Sequence, residues 1–312
     1  MRTKGSSKLP FIIIAKQHST KMSTPSIRYE MGNKIDSGAQ GTVVSAIDTL
    51  TNKSVAIKIF SISDAAGAAG FASEFLIHKL MKGNSKRICQ VLDSFQIPNK
   101  LGFIVMEKYQ QDLFDLAFSQ EKKLSKKQVK KIFKTVCRGV RDLHKNGIAH
   151  LDLKPENVLM NQDKEAFICD FGCSFVFEHE TDAPTRMKRK LRKTIVENLR
   201  GRGTRRYAAP EVFTSDEFNP FSADIFSLGV IMHALLTGFF PATQPGNAEL
   251  NLEVAKSKMD KDVFNLMCSM LMHDPSRRPT IEEVLENKWL RSRRNPEKLR
   301  KRTAKLVHFV SI

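Results

Sequence analysis

Residues whose side chains suit phosphoryl transfer lie close together in the middle of the chain. Residues 150–157 read His-Leu-Asp-Leu-Lys-Pro-Glu-Asn, and an Asp-Phe-Gly sequence begins at Asp170, thirteen residues after Asn157. A carboxylate such as that of Asp152 orients an attacking hydroxyl, and a cation such as Lys154 screens the phosphoryl group. An amide oxygen and a second carboxylate hold Mg²⁺. The spacing therefore indicates transfer of a phosphoryl group with the help of a magnesium ion.

These two motifs, in this order, closely resemble the catalytic loop and the magnesium-binding segment of the eukaryotic protein kinase family. The sequence of 154–157 resembles the serine/threonine type, and residues 223–229 and 289–290 are loosely similar to the calcium/calmodulin-dependent kinase group. The resemblance implies an α+β, bilobal protein kinase fold, with a small β-rich N-lobe that holds one helix and a larger, mainly helical C-lobe. It also implies transfer of the ATP γ-phosphate, with Mg²⁺, to serine or threonine hydroxyls of protein substrates.

The resemblance also implies roles for single residues of the catalytic loop. We expect Asp152 to act as the catalytic base, Lys154 to stabilise the phosphate, and Asn157 and Asp170 to bind magnesium. The Thr204 hydroxyl is expected to tie Asp152 to Lys154.

Three further residues are expected to support this loop rather than to take part in the chemistry. Glu211 should pair with Arg278, and Asp224 should cap the catalytic loop from a buried helix. Removal of either member of the ion pair would leave a buried charge without its partner.

The nucleotide side of the resemblance rests on residues 35–43, which read Ile-Asp-Ser-Gly-Ala-Gln-Gly-Thr-Val, and on Val-Ala-Ile-Lys ending at Lys58. Glycines let bare backbone amides approach phosphate oxygens. Lys58 should pair with Glu74 and with the α- and β-phosphates, while Met106 should close the back of the adenine pocket. The implied nucleotide site consists of Ile35, Gly38, Gly41, Val43, Ala56, Lys58, Glu74, Met106, Glu107, Tyr109 and Asp170.

One position of the glycine-rich loop departs from the family, since Asp36 stands where the first glycine is usual. An aspartate there can tilt the loop or repel phosphate. This departure leaves an alternative function open, that of a catalytically weak nucleotide-binding scaffold, or pseudokinase.

Two further departures concern regulation. Leu151 replaces the arginine that many kinases use to receive an activation-loop phosphate, and Arg200 stands where the phosphorylated threonine is usual. The activity is therefore expected to need no activation-loop phosphorylation. The insert 186–193 carries six basic residues in eight, which fits either an unstructured loop or a localisation or docking site.

The net charge of +18 is unevenly distributed. Residues 1–28 hold six Lys or Arg and no acid, 185–206 hold ten against Glu197, and 291–305 hold eight against Glu297. The remainder is close to neutral, so nucleic acid is not an expected partner. The five scattered cysteines and the lack of a long apolar run favour a reducing, cytoplasmic location without membrane insertion, and the insert adds the nucleus as an alternative.

The pattern along the chain predicts three regions. Residues 1–28 form a basic disordered leader, 29–290 a kinase domain, and 291–312 a basic C-terminal tail. Within the domain we expect the N-lobe at 29–107, a hinge at 107–111, the C-lobe at 112–290, and the activation segment at 170–211. Strand-like runs lie around 91–97 and 101–107, and helical spacing covers 71–81, 126–146, 221–236, 261–272 and 280–287.

Two smaller predictions concern specificity and the core. Asp112 and Glu156 match positions at which kinases read arginines before the phosphoacceptor. His78 is expected to be half-buried with its hydrogen bonds satisfied. On the predicted helix 71–81, the apolar face should include Phe71, Phe75, Leu76 and Leu80.

Overall fold

The computed structural model describes residues 12–14, 27–38, 41–120, 123–177, 199–243 and 250–291. The tip of the glycine-rich loop, the basic insert 186–193 and most of the two basic ends lie outside these ranges. The predictions made for those segments therefore stay predictions.

The N-lobe is built on one antiparallel sheet with the strand order β1-β2-β3-β4-β6-β5. Asn52 and Asn99, both with positive φ, occupy the turns between β3 and β4 and between β5 and β6, because asparagine tolerates that conformation. The predicted bounds of β5 and β6 agree with the structure. The six strands are β1 (Ile12–Ile14), β2 (Ile27–Gly38), β3 (Gly41–Asp48), β4 (Lys53–Ser61), β5 (Val91–Ile97) and β6 (Leu101–Glu107).

Strand β1 lies inside the segment that the sequence predicted to be a disordered leader. It pairs antiparallel with β2 at the edge of the sheet. Three consecutive isoleucines have high β-propensity and meet an unpaired strand edge, which accounts for the difference at these residues.

The helix α1 (Ala65–Met81) begins at Asp64, whose carboxylate accepts a hydrogen bond from the Gly67 N–H at 2.8 Å. The predicted apolar face is wrong in part, because Leu76 and Leu80 are 46% and 39% exposed. Its buried positions are instead Glu74, Ile77, His78 and Met81. Ile77 and Met81 belong to the hydrophobic core of the C-lobe. Tertiary packing therefore determines which face of α1 is buried, and the hydrophobicity of the helix alone does not predict that face.

The C-lobe is mainly helical around a single large core. Its helices are α2 (Leu113–Phe118), α3 (Lys126–Lys145), α4 (Glu211–Thr214), α5 (Pro220–Thr237), α6 (Glu253–Lys258), α7 (Lys261–Met270) and α8 (Ile281–Glu286). Its short strands are β7 (Gln111–Asp112), β8 (Ile148–Ala149), β9 (Val158–Met160), β10 (Ala166–Ile168), β11 (Phe175–Val176), β12 (Ala242–Thr243) and β13 (Leu250–Asn251). Short 3₁₀ turns cover Pro155–Asn157 and Pro275–Arg277.

The two long helices have clear sequence boundaries. A capping box of Ser125 and Gln128 opens α3. Asn219 caps the start of α5, and Gly238 ends it with φ +82°. Within the described ranges α5 alone has the length and apolar composition of a membrane span, and 89% of that window is buried in the protein, as expected for a core helix.

The predicted α+β class and the division into two lobes are confirmed, with one helix in the sheet-rich lobe and the other helices in the second. The lobes meet along α1 and at the end of β6, and Lys58, Glu74 and Asp170 lie at this junction.

Candidate active site

Lys58 links the two lobes through an ion-pair network. Its Nζ on β4 lies 2.6 Å from Glu74 Oε2 on α1 and 2.7 Å from Asp170 Oδ1 in the C-lobe. Burial would lower the pKa of Lys58, but the two carboxylates more than offset it and raise that pKa. Burial likewise opposes ionisation of Asp170, yet Lys58 holds the pKa of Asp170 below its usual range. A charged Lys58 is thereby held in the cleft between two anions.

For Glu74, the effect of burial on the pKa outweighs the effect of the neighbouring charge. Burial raises the pKa of this carboxyl, and the Lys58 ammonium opposes the effect. The second carboxylate oxygen, Oε1, is buried without a hydrogen-bond partner among the described residues.

Asp170 and the following phenylalanine are held by a tight arrangement of rings. Asp170 has φ +61°, an uncommon backbone conformation for a residue other than glycine. The buried Phe171 ring lies 5.0 Å from His78 and 5.3 Å from His150, measured between centroids. The expectation for His78 is wrong, because the residue is buried and its Nε2 has no partner in the described part of the chain. Burial lowers the pKa of His78 to about 4.

The Asp152 carboxylate is oriented by three donors. Its Oδ1 accepts from the backbone N–H of Thr204 at 2.7 Å, and its Oδ2 accepts from Lys154 Nζ at 2.9 Å and from Asn157 Nδ2 at 3.2 Å. Lys154 Nζ also donates to the Thr204 hydroxyl at 3.0 Å. Thr204 therefore connects Asp152 and Lys154 as expected, although its backbone N–H makes the contact with Asp152.

The approach of Thr204 to Asp152 depends on Gly203. This glycine has φ +84°, and a Cβ there would lie 2.3 Å from the backbone oxygen of Leu151. A side chain at position 203 would push the two segments apart.

Asp224 holds the start of the catalytic loop from inside α5. Its Oδ2 accepts from the N–H of His150 at 2.8 Å and lies 2.9 Å from His144 Nε2, while its Oδ1 accepts from the N–H of Leu151 at 2.8 Å. Leu151 has φ +63°, so a fully buried carboxylate stabilises a strained backbone next to Asp152.

Leu151 and the activation segment meet in the apolar interior. Leu151 and Leu199 both belong to the C-lobe core and are 4% and 0% exposed. Arg200 turns outward, with its Nη1 3.0 Å from Asp216 Oδ1 in an exposed ion pair. A buried apolar side chain thus occupies position 151, where the resemblance implies an arginine.

The end of β6 lines the cleft where an adenine ring is expected. Met106, which is buried, pairs across the sheet with Ala56. The N–H of Glu107 donates to a carbonyl just before β5 at 3.1 Å, and the Tyr109 hydroxyl donates to the Glu107 carboxylate at 3.0 Å. Leu159 of the C-lobe packs with the same apolar cluster as Met106 and Tyr109.

The β2–β3 hairpin forms the upper edge of the cleft. Ile35 is 51% exposed and Val43 is half-buried. A Cβ at Gly41 would lie 2.3 Å from a backbone oxygen of β4, whereas a Cβ at Gly38 would meet no atom of the described residues within 4 Å. Packing against β4 therefore requires glycine at position 41, while no contact of the described residues requires it at position 38. The Asp36 carboxylate accepts from the N–H of Ser37 at 2.7 Å, so part of its charge is directed into the local turn.

The donor atoms near Asp170 fit Mg²⁺ and nucleotide phosphates. Asn157 Nδ2 donates to the Asp152 backbone oxygen at 2.9 Å, so its amide oxygen is the remaining ligand atom. The N–H of Cys169 donates to the Asn157 carbonyl at 3.0 Å, which sets Asp170 beside Asn157. The described residues contain no cluster of three or more His, Cys, Asp or Glu suited to a metal, so phosphates and water would complete the coordination, as is usual for Mg²⁺.

A buried ion pair ties the activation segment to the C-lobe. Arg278 forms a two-pronged contact with Glu211, with distances of 2.5 and 2.9 Å. The same guanidinium donates to the backbone oxygens of Met272, Ser222 and His273. This agrees with the expected pairing and leaves few donors of Arg278 unsatisfied.

Sequence analysis missed two residues of the site. His150 is fully buried, and its Nε2 lies 3.0 Å from the Cys169 carbonyl, so it connects the catalytic loop to the segment before Asp170. Its position at the start of the catalytic motif was a usable signal. Leu159 packs from the C-lobe against the apolar cluster of Met106, where the adenine ring is expected, and its place two residues after Asn157 on a short strand could have indicated this.

Comparison with known protein families matches residues 29–290 to the family described as the protein kinase domain. CBL-interacting protein kinase 2 of Oryza sativa subsp. japonica is 28% identical over 273 residues, which are 85% of this chain and 58% of that protein. Serine/threonine-protein kinase pim-2 of Danio rerio is 27% identical over 279 residues, 84% of each chain.

A third relative, serine/threonine-protein kinase dkf-1 of Caenorhabditis briggsae, is 30% identical over 277 residues, 82% of this chain and 34% of that protein. The chain thus spans about half the length of the two rice kinases it matches, 58% and 51%, and a smaller part of dkf-1.

Proposed function

This chain belongs to the protein kinase family, and from that premise we propose that it transfers the γ-phosphoryl group of ATP to serine or threonine hydroxyls of proteins. The observation that carries the proposal is the assembled constellation of Lys58, Glu74, Asp152 and Asp170. Each has the residue type that the reaction requires, and Lys58 already contacts both Glu74 and Asp170.

In the proposed mechanism, Asp152 accepts the proton of the substrate hydroxyl. The hydroxyl oxygen forms a bond to the γ-phosphorus while the bond from that phosphorus to the β–γ bridging oxygen breaks. Thr204 and Asn157 fix the direction of the Asp152 carboxylate, so the base is positioned before substrate arrives.

The cations of the site would counter the charge on the transferring group. Lys154 lies beside Asp152, and its pKa is raised because hydrogen bonding to Asp152 outweighs its partial burial. Lys58 would orient the nucleotide phosphates. Asn157 and Asp170 would hold Mg²⁺, which neutralises phosphate charge when bound. These roles require the side chains of Lys58, Lys154, Asn157 and Asp170 to keep the positions described above.

The test compares Asp152→Asn with Asp163→Asn, an acid on an exposed turn. Asp152→Asn should lower kcat by roughly 10²- to 10⁴-fold, the usual contribution of a general base. Binding of a fluorescent ATP analogue should change little, and thermal melting should show a folded protein. Asp163→Asn should match wild type in all three measurements.

The alternative, a nucleotide-binding pseudokinase, rests on Asp36. It predicts that wild type and Asp152→Asn bind the ATP analogue equally and show the same negligible turnover on a generic peptide. Turnover by wild type that Asp152→Asn abolishes would reject it.

We also infer that activity does not need phosphorylation of the activation segment. The support is the apolar burial of Leu151 and Leu199, and the use of Arg200 in an ion pair with Asp216. The unmodified chain already brings Lys58 to Glu74. Protein made in bacteria and treated with phosphatase should keep its activity, and a loss beyond roughly tenfold would contradict the inference.

For substrate choice, we propose a preference for arginine or lysine two or three residues before the acceptor. Asp112 caps α2 by accepting from the Asp115 N–H at 2.8 Å, and α2 packs against the 3₁₀ turn that holds Glu156, so the three acids lie on neighbouring elements. Such a cluster suits an incoming guanidinium. A positional peptide library tests the proposal, and enrichment of acidic residues at those positions would overturn it.

A further inference from the structure

A basic groove lies on the C-lobe, outside the cleft described above. It has a volume of about 1030 Å³, at the upper end of the range for small-ligand sites. Of the fifteen described residues that line it, nine are Lys or Arg and Glu165 is the single acid. We call this the α3 groove, because α3 supplies the largest share of its charge.

One wall of the α3 groove is a stripe along α3. The stripe consists of Lys127, Lys130, Lys131, Lys134 and Arg138. Their spacing of three or four residues stacks them on one face of the helix. Like charges at such spacings repel, and α3 has no acid in its first turn to offset them.

The other wall comes from two distant parts of the chain. Lys86 and Arg87 precede β5, while Lys288 and Arg291 follow α8. The positive charge therefore converges on one concavity from three segments, which a solvated helix face alone would not produce.

Few of these charges are neutralised by other residues that the structure describes. Among ion pairs between described residues, Arg87 contacts Asp142 at 3.0 Å and Arg291 contacts Glu286 at 3.7 Å. No such pair among the described side chains is seen for Lys127, Lys130, Lys131 or Arg138. Lys134 Nζ donates to the Leu290 carbonyl at 2.5 Å, and burial together with the charges of Arg138 and Lys130 lowers the pKa of Lys134. The groove is thus crowded with cations.

The floor of the α3 groove is apolar and partly aromatic. Phe167 and Trp289 are half-buried there. The Phe167 ring lies 4.8 Å from that of Tyr109, so the floor borders the segment that joins the two lobes. A ligand that matches this surface combines several negative charges with an apolar side chain.

The two ends of this chain do not match the α3 groove in charge. Residues 1–28 and 292–312 are basic. The acidic stretch 178–182 follows Phe177, whose N–H bonds to the Gly147 carbonyl beyond the far end of α3. At 1.5 Å per residue, Gly147 is about 24 Å along the helix from Lys131, and five extended residues span about 17 Å, so this stretch falls short of the part of the groove that carries Lys127 and Lys131.

We propose that the α3 groove binds an acidic segment of a partner protein, with carboxylates on the basic walls and an apolar side chain on the Phe167–Trp289 floor. The concave shape and apolar floor favour a peptide over a flat membrane surface or a nucleic-acid duplex, both of which need phosphate contacts along a broad face.

The test is fluorescence anisotropy with a labelled peptide in which glutamates flank a central phenylalanine. Wild type should bind it in a salt-dependent way. The double variant Lys127→Glu/Lys131→Glu, on exposed positions, should bind at least about tenfold more weakly. The control variant Lys53→Glu/Lys100→Glu makes the same charge change on the N-lobe and should lose less than about twofold. Replacing the phenylalanine of the peptide by alanine should weaken binding to wild type.

Binding does not require catalysis, so the result is independent of the proposed kinase activity. Equal losses in the two double variants would overturn the proposal, because net charge alone would then explain binding. It would also be overturned if duplex DNA, or phosphatidylcholine vesicles containing phosphatidylserine, bound through Lys127 and Lys131 more tightly than the peptide.

Discussion

Replacement of Asp224 by asparagine should weaken both folding and catalysis, although this residue lies outside the cleft. The carboxylate is fully buried in α5 and accepts hydrogen bonds from the backbone N–H groups of His150 and Leu151, both at 2.8 Å. Its Oδ2 also lies 2.9 Å from His144 Nε2. Because both oxygens are used, an amide cannot reproduce the contacts in either orientation.

The size of the expected stability loss follows from the hydrogen bond that the amide cannot accept. In the better orientation, the amide oxygen keeps His150 and His144, and the NH₂ group faces the N–H of Leu151. A buried donor without an acceptor costs about 1–3 kcal/mol, and loss of the charge weakens the remaining hydrogen bonds. We expect Asp224→Asn to lower the free energy of unfolding by about 2–4 kcal/mol. The strained Leu151 backbone would relax, shift Asp152, and lower kcat by roughly tenfold or more.

The assay pairs urea unfolding with steady-state kinetics on a peptide substrate. Asp216→Asn is the matched control, because Asp216 is 85% exposed and forms an exposed ion pair worth less than about 1 kcal/mol. If Asp224→Asn were as stable and active as the control, the carboxylate would not be what holds the catalytic loop.

Three further predictions concern buried groups of the site. The pKa of His78 falls from 6.5 to about 4 on folding, so wild type should lose stability, up to about 3 kcal/mol, as pH falls from 6.5 to 4. His78→Leu should remove that part of the loss in urea unfolding at several pH values, and an unchanged pH profile would contradict the assignment. Gly41→Ala should cost about 1–3 kcal/mol, because φ is +131° and a backbone oxygen lies 2.3 Å from the new Cβ. Gly38→Ala should cost under about 0.5 kcal/mol in the same assay, and the reverse order would refute the steric argument. Glu211→Gln should cost about 3–5 kcal/mol by leaving the buried Arg278 charge without its counter-ion. A double-mutant cycle with Arg278→Met should then show strong coupling, whereas additive losses would show that the pair does not act as a unit.

Local pattern was sufficient for several elements of this protein, although α1 begins at Ala65, six residues before its predicted start. The predicted bounds of β5 and β6 agree with the structure, and α3 and α5 begin within one residue of the predicted starts. Alternation, helical spacing and end signals such as Ser125 and Gly238 act over a few residues, so they can be read directly along the chain.

Local sequence pattern gave wrong predictions where tertiary packing determines which residues are buried or paired. On α1, the apolar residues Leu76 and Leu80 face outward while Glu74 and His78 are buried, because the helix must serve both the ion pair with Lys58 and the Phe171 ring. Hydrophobicity favours the opposite arrangement. Strand β1 within the expected leader is a second case, since it depends on a sheet edge that the sequence does not reveal.

The sequence by itself determined the family, the lobes and the chemical types at the active site, because motif residues and hydrophobic periods are local properties. Tertiary structure alone decided that Asp224 supports a backbone more than seventy residues away, and that Leu151 lies in the core. It also assembled the α3 groove from three separate segments. These features depend on contacts between residues distant along the chain, and such contacts form only when the core packs.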